Sequence, residues 1–113
     1  MRAAQVERAR VRAARYGEQC SEGEDVTSVS VLLTFADDGR PERAFLLRLA
    51  ALAEDLSAIL GRAANWCVGV NSMDDSVTLE LGLVADARKR ELVGAALGVA
   101  SELAERARRG EVA

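Results

Sequence analysis

Between Val26 and Phe35 apolar and polar side chains alternate with a period of two. Val29, Val31, Leu33 and Phe35 fall on one side, and Ser28, Ser30, Leu32 and Thr34 on the other. Such alternation in a β-branched run predicts a half-buried strand. The period then lengthens: Phe45, Leu49, Leu52, Leu56 and Ile59 recur at spacings of four, three, four and three, the stripe of a helix that faces a core. Asp37-Asp38-Gly39 supplies a turn before this helix, Pro41 suits its first position, and Gly61 suits its end.

The period of two returns in Asn65 to Val70, with Trp66, Val68 and Val70 opposed to Cys67 and Gly69. It returns again in Ser76 to Val84, where Val77, Leu79, Leu81 and Leu83 oppose Thr78, Glu80 and Gly82. The polar turn at 71–75 predicts that these two strands form a hairpin. A last helix is expected from an N-cap at Asp86 to about Arg108, with Leu92, Ala96, Val99 and Leu103 inward. Asp86 with Arg90 and Glu102 with Arg106 would support it as i,i+4 ion pairs.

At the N-terminus, Ala and Arg are strong helix formers, and Val6, Ala9, Ala13 and Tyr16 recur at helical spacing. Residues 1–16 therefore read as an Arg-rich helix, 17–25 as an acidic linker and 26–110 as the core domain. The expected fold class is α+β: an N-terminal helix, then βαββα, with a three-stranded mixed sheet and two helices on one face, a ferredoxin-like half-sandwich. A right-handed crossover makes the first two strands parallel, and the hairpin returns the third antiparallel between them.

The other sheet face carries the functional expectation. Ser28, Ser30, Leu32, Thr34, Cys67, Gly69, Thr78, Glu80 and Gly82 would lie there, small and nearly uncharged, whereas a solvated face usually carries more charge. Three covers suggest themselves: the N-terminal helix, a second copy, or a ligand or protein partner. Unpaired strand edges also invite pairing across a twofold axis. Arg8, Arg12 and Arg15 share a helical face, with Tyr16 beyond them, and could meet phosphates, an acidic partner or the chain's own acidic linker.

Composition narrows the chemistry. The 113 residues are 50% hydrophobic and 29% charged, enough for one core without metal or disulfide staples. Cys20 and Cys67 are too sparse for a disulfide framework, and no apolar run approaches the roughly 20 residues that span a bilayer, so a cytoplasmic home is expected. Arg and Ala abound and Lys89 is the lone lysine, the mark of a high-GC and hence bacterial genome. With no histidine, the commonest general base and metal ligand are missing. Asp37-Asp38 and Asp74-Asp75 could hold a divalent cation at one end of the sheet, but Asp is the ordinary turn residue. Cys67 reads as a small packed side chain, Trp66 as core, and Gly94 with Gly98 as a point of close helix approach.

The expected function is a non-enzymatic interaction, regulatory or assembly module. Its partner is itself, as a homodimer, or another protein; no cofactor and no membrane are implied. The working surfaces would be Ser28, Ser30, Thr34, Cys67, Thr78 and Glu80 on the sheet, and Arg8, Arg12, Arg15 and Tyr16 on the first helix. One alternative is a ligand-binding or enzymatic domain with Glu80, Cys67, Ser30 and Thr78 lining its site. Another is nucleic-acid binding through the first helix, disfavoured by the net charge of −3 and the lack of an aromatic platform.

Overall fold

A computed structural model describes residues 5–15, 18–19, 26–36, 41–70, 76–83 and 89–112, with 18–19, 61–70 and 89 described as backbone only. Its elements are β1 (Val6–Arg15), β2 (Glu18–Gln19), β3 (Ser28–Phe35), α1 (Arg43–Ser57), a 3-10 helix (Ala58–Ala63), β4 (Ala64–Val70), β5 (Val77–Leu83) and α2 (Lys89–Arg108). The strands form one sheet in the order β2-β1-β3-β5-β4, and every neighbouring pair is antiparallel. β3 and β4 therefore run parallel to each other with β5 between them, as the strand-helix-strand-strand pattern predicts. The expected three-stranded mixed sheet is corrected to five strands, because β1 and β2 extend it on the β3 side.

The largest departure is at the N-terminus. The expected helix over residues 1–16 is a β-strand, paired with β3 from Val6↔Phe35 to Ala14↔Ser28 and shifted in register between Val6 and Arg8. Helix propensities separate Ala and Arg from other residues by less than about 1 kcal/mol each, and an isolated helix of this length is marginal in water. Against that stands the strict alternation of Arg8-Ala9-Arg10-Val11-Arg12-Ala13, a period of two that places Ala9, Val11 and Ala13 together under α2. Pairing along β3 plus burial of that face outweighs the local preference. The segment is thus continuous with the core sheet, and the greater part of the acidic stretch at 17–25 lies outside the described residues.

Both helices cover the same sheet face. α2 lies on β1 and β3, and α1 lies on β4 and α2. Ala96, Ala100, Ala104 and Ala107 are buried on the sheet side of α2, so small residues face the small residues of β1 and the layers come close. Val29, Val31 and Leu33 of β3 and Val77, Leu79 and Leu81 of β5 are wholly buried beneath the helices. Phe35 meets Phe45 of α1 edge to face, with ring centroids 5.7 Å apart. Pro41 precedes the N-cap Glu42 instead of opening the helix. Ile59, expected in the core stripe, is 79% exposed. The buried positions Phe45, Leu49 and Ala53 centre the stripe about 40° from where the leucine spacing sets it, and at about 100° per residue that line runs on to Leu60, which is buried, and past Ile59.

The chain end is locked on α2. Gly110 has φ +81°, its N–H donates to the Ala107 carbonyl at 3.2 Å, and Glu111 N–H donates to the Arg106 carbonyl at 3.0 Å, the two bonds of a Schellman cap. The cap turns Val112 back into the core at 3% exposure, and Arg48 Nε of α1 holds its carbonyl at 2.8 Å. On the outer side of α2, Gly94 and Gly98 are exposed with open space where a Cβ would go, so their spacing marks no close helix contact among the described residues.

Two glycines therefore respond oppositely to alanine. Gly98→Ala is expected to stabilise by about 0.5–1 kcal/mol, since a helix interior favours Ala over Gly. Gly110→Ala should destabilise by about 1–2 kcal/mol, because an L side chain is strained at that φ. Leu79→Ala, in the strand pair at the centre of the sheet, should cost about 3 kcal/mol or more. Urea unfolding followed by far-UV circular dichroism measures all three.

Candidate functional site

The strand registers build, row by row, the face opposite the helices, which no helix covers among the described residues. On β1 the residues opposite to Ala9, Val11 and Ala13 are Arg8, Arg10, Arg12 and Ala14; they pair with Thr34, Leu32, Ser30 and Ser28 of β3. On β5, Thr78, Glu80 and Gly82 pair with Leu32, Ser30 and Ser28. On β4, Gly69, Cys67 and Asn65 pair with Thr78, Glu80 and Gly82. Reading across the sheet gives Arg12-Ser30-Glu80-Cys67 in one row and Arg10-Leu32-Thr78-Gly69 in the next.

Two surfaces that the sequence suggests separately are therefore one. Arg8 and Arg12, expected on a detached helix, share the face of Ser28, Ser30, Thr34, Thr78 and Glu80, and the register sets Cys67 beside Glu80. Arg10, assigned to no site by helical spacing, is the middle of the arginine row. Arg15 falls on the other parity at the strand end, opposite Glu18, and Tyr16 lies outside the described residues. The signal that would have found Arg10 is the alternation of Arg8, Arg10 and Arg12, which only a strand turns into a single face.

The arginine side chains are exposed, and among the described residues none of Arg8, Arg10 and Arg12 makes an ion pair or side-chain hydrogen bond. Alternate residues of a strand stand about 6.7 Å apart, so neighbouring guanidinium groups repel by about 0.6 kcal/mol even at the dielectric of water. Carboxylates are spent elsewhere: Glu102 on Arg106 at 2.8 Å, Glu105 on Arg108 at 3.1 Å and Glu111 on Arg109 at 2.8 Å, all at the α2 end of the molecule. The Glu102 hydrogen bond pushes the Arg106 pKa up, and these pairs are exposed, so they contribute little to stability. Glu80 is exposed and stands two strands from Arg12 without an ion pair among the described residues.

Beside the arginines the face dips. A cleft of about 200 Å³ is lined by Arg10, Val11, Arg12, Ser30, Leu32 and Thr78. Ser30 is only 5% exposed, shielded in a central strand between longer neighbours, and its hydroxyl has no hydrogen-bond partner among the described residues. The donors around the cleft, two guanidinium groups and two hydroxyls, can satisfy an anion, and among the described residues no carboxylate lines it. Among the described residues no group of three potential metal ligands occurs, and no helix is long and apolar enough to cross a membrane. The Asp37-Asp38 and Asp74-Asp75 turns, Cys20 and the expected N-cap Asp86 lie outside the described residues.

Comparison with protein-family models, curated proteins and solved structures gives no match to this chain.

An unpaired row of like charges costs stability until something binds it. Arg10→Thr, which removes the central charge and adds a strand-favouring residue, should raise unfolding free energy by about 0.5–1 kcal/mol at low salt. The gain should shrink at 0.5 M salt, and denaturant titration at the two ionic strengths measures both.

Proposed function

We propose that this protein is a non-enzymatic interaction module that binds an acidic segment of a partner protein on its uncovered sheet face. The observation that supports this most is the row of Arg8, Arg10 and Arg12 beside the hydroxyls of Ser30 and Thr78, without an intramolecular carboxylate among the described residues to neutralise it. The face offers a flat, hydrogen-bonding floor and a charged margin, the complement of an acidic extended peptide. Ser28, Thr34, Cys67 and Glu80 complete that surface. Self-association fits the opposite edge: β4 carries no charged residue and no proline along Ala64–Val70, whereas the alternating arginines of β1 discourage pairing of that edge with a second copy. The reading is of a cytoplasmic homodimer that needs no cofactor.

A second reading, binding of single-stranded nucleic acid along the same arginines, is favoured by their even spacing. The chain's net charge of −3 and the absence of an aromatic residue at the described outward positions of β1, β3 and β5 weigh against it.

Hexaglutamate should bind the wild-type chain with an affinity that falls several-fold between about 50 and 300 mM salt, and the triple variant Arg8→Ser/Arg10→Ser/Arg12→Ser should not bind. Fluorescence anisotropy of the labelled peptide, with a labelled oligo-dT of equal charge alongside, reads the outcome. Binding of oligo-dT alone transfers the assignment to nucleic acid. Light scattering should return twice the chain mass, and Cys67→Lys, a charge placed at the middle of the β4 edge, should halve it.

A further inference from the structure

We infer that the cleft between Arg10 and Arg12 is a receptor for one carboxylate on a short aliphatic stem, the shape of a single acidic side chain. This rests on the reading of the face as a binder of acidic partners and adds where recognition is focused.

The row of arginines alone would attract any polyanion without choosing a position along it. The cleft supplies a position. Ser30 lies opposite Arg12, Leu32 lies opposite Arg10, and Thr78 lies beyond Leu32 on β5, so donors stand on both sides of an apolar patch. Ser30 as a residue is only 5% exposed and lines the cleft, and its hydroxyl, which makes no hydrogen bond among the described residues, keeps access to solvent there, since no described side-chain oxygen is both buried and unpartnered. A hydroxyl that opens on a cleft can donate to whatever occupies it, and a bound oxyanion accepts from it together with two guanidinium forks.

Size and polarity choose the anion. At about 30 Å³ for each water in the liquid, the cleft of about 200 Å³ displaces roughly six or seven waters. That space suits a carboxylate with two or three methylenes and is too small for a nucleotide. Leu32 offers an apolar surface for the methylenes, while Arg10, Arg12, Ser30 and Thr78 ring the charge. A planar carboxylate also matches the two-pronged guanidinium better than it matches an ammonium, so the identity of Arg12 counts as well as its charge.

The experiment is an amide-resolved NMR titration of the full chain with glutarate, and in parallel with inorganic phosphate and with hexaglutamate. Glutarate should give saturable shifts centred on Arg10, Arg12, Ser30, Leu32 and Thr78. Ser30→Val, which removes the hydroxyl and fills the floor while suiting a strand, should weaken glutarate about tenfold or more, as should Arg12→Lys. Thermal unfolding and an unchanged β5 amide spectrum confirm that both variants fold; an unfolded Ser30→Val leaves Arg12→Lys to decide. If glutarate shifts Arg8, Arg10 and Arg12 alike without saturation while hexaglutamate still binds, the cleft assignment falls and the broader reading of the face survives. If neither ligand binds, both fall. If phosphate saturates the cleft more tightly than glutarate at matched charge, the carboxylate assignment is overturned in favour of a phosphoryl group.

Discussion

Pairing of β1 with β3 decides how every other part of this molecule is used. It carries Ala9, Val11 and Ala13 under α2, where their small size lets the alanine-rich side of that helix approach the sheet. By the same alternation it lifts Arg8, Arg10 and Arg12 onto the opposite face. A slip of one residue would bury three arginines beneath a helix and expose the apolar set, a penalty large enough to fix the register. One interaction thus closes the core and creates the charged surface together.

The two sheet faces are consequently made to different rules. The helix-covered side is filled by Val29, Val31, Leu33, Val77, Leu79 and Leu81, and the Arg48 bond to the Val112 carbonyl ties the chain end to α1 above it. The uncovered side keeps like charges adjacent, a choice that costs stability in the isolated chain. Such costs persist where a surface serves binding. The ion pairs that could have neutralised the arginines are instead placed among Glu102, Glu105, Arg106 and Arg108 at the far end of α2.

Much of this organisation is written plainly in the chain. The period-two runs of β3, β4 and β5, the helical stripe of α1 and the Glu102–Arg106 pair of α2 are legible because each satisfies one local rule without competition. Residues 6–15 obey two rules at once. Ala and Arg favour a helix by composition, and Val6, Ala9 and Ala13 even fall at helical spacing, while the arginine alternation demands a strand; only the availability of β3 as a pairing partner settles the contest. Ile59 illustrates a finer limit, since the buried stripe of α1 runs through the small Ala53 to Leu60, and an alanine gives hydrophobic spacing little to distinguish it from its neighbours. The cleft was half visible: Ser30 and Thr78 follow from strand parity, but Arg10 joins them only through a pairing that links residues about twenty positions apart.

The strand identity of residues 6–15 is therefore the point on which the account stands, and NMR of the uniformly labelled chain tests it without any variant. Extended-backbone chemical shifts are expected across Val6–Arg15, with interstrand nuclear Overhauser contacts that link Arg12 with Ser30 and Arg10 with Leu32. Helical shifts over that segment, with sequential contacts between residues three apart and none to β3, would contradict it.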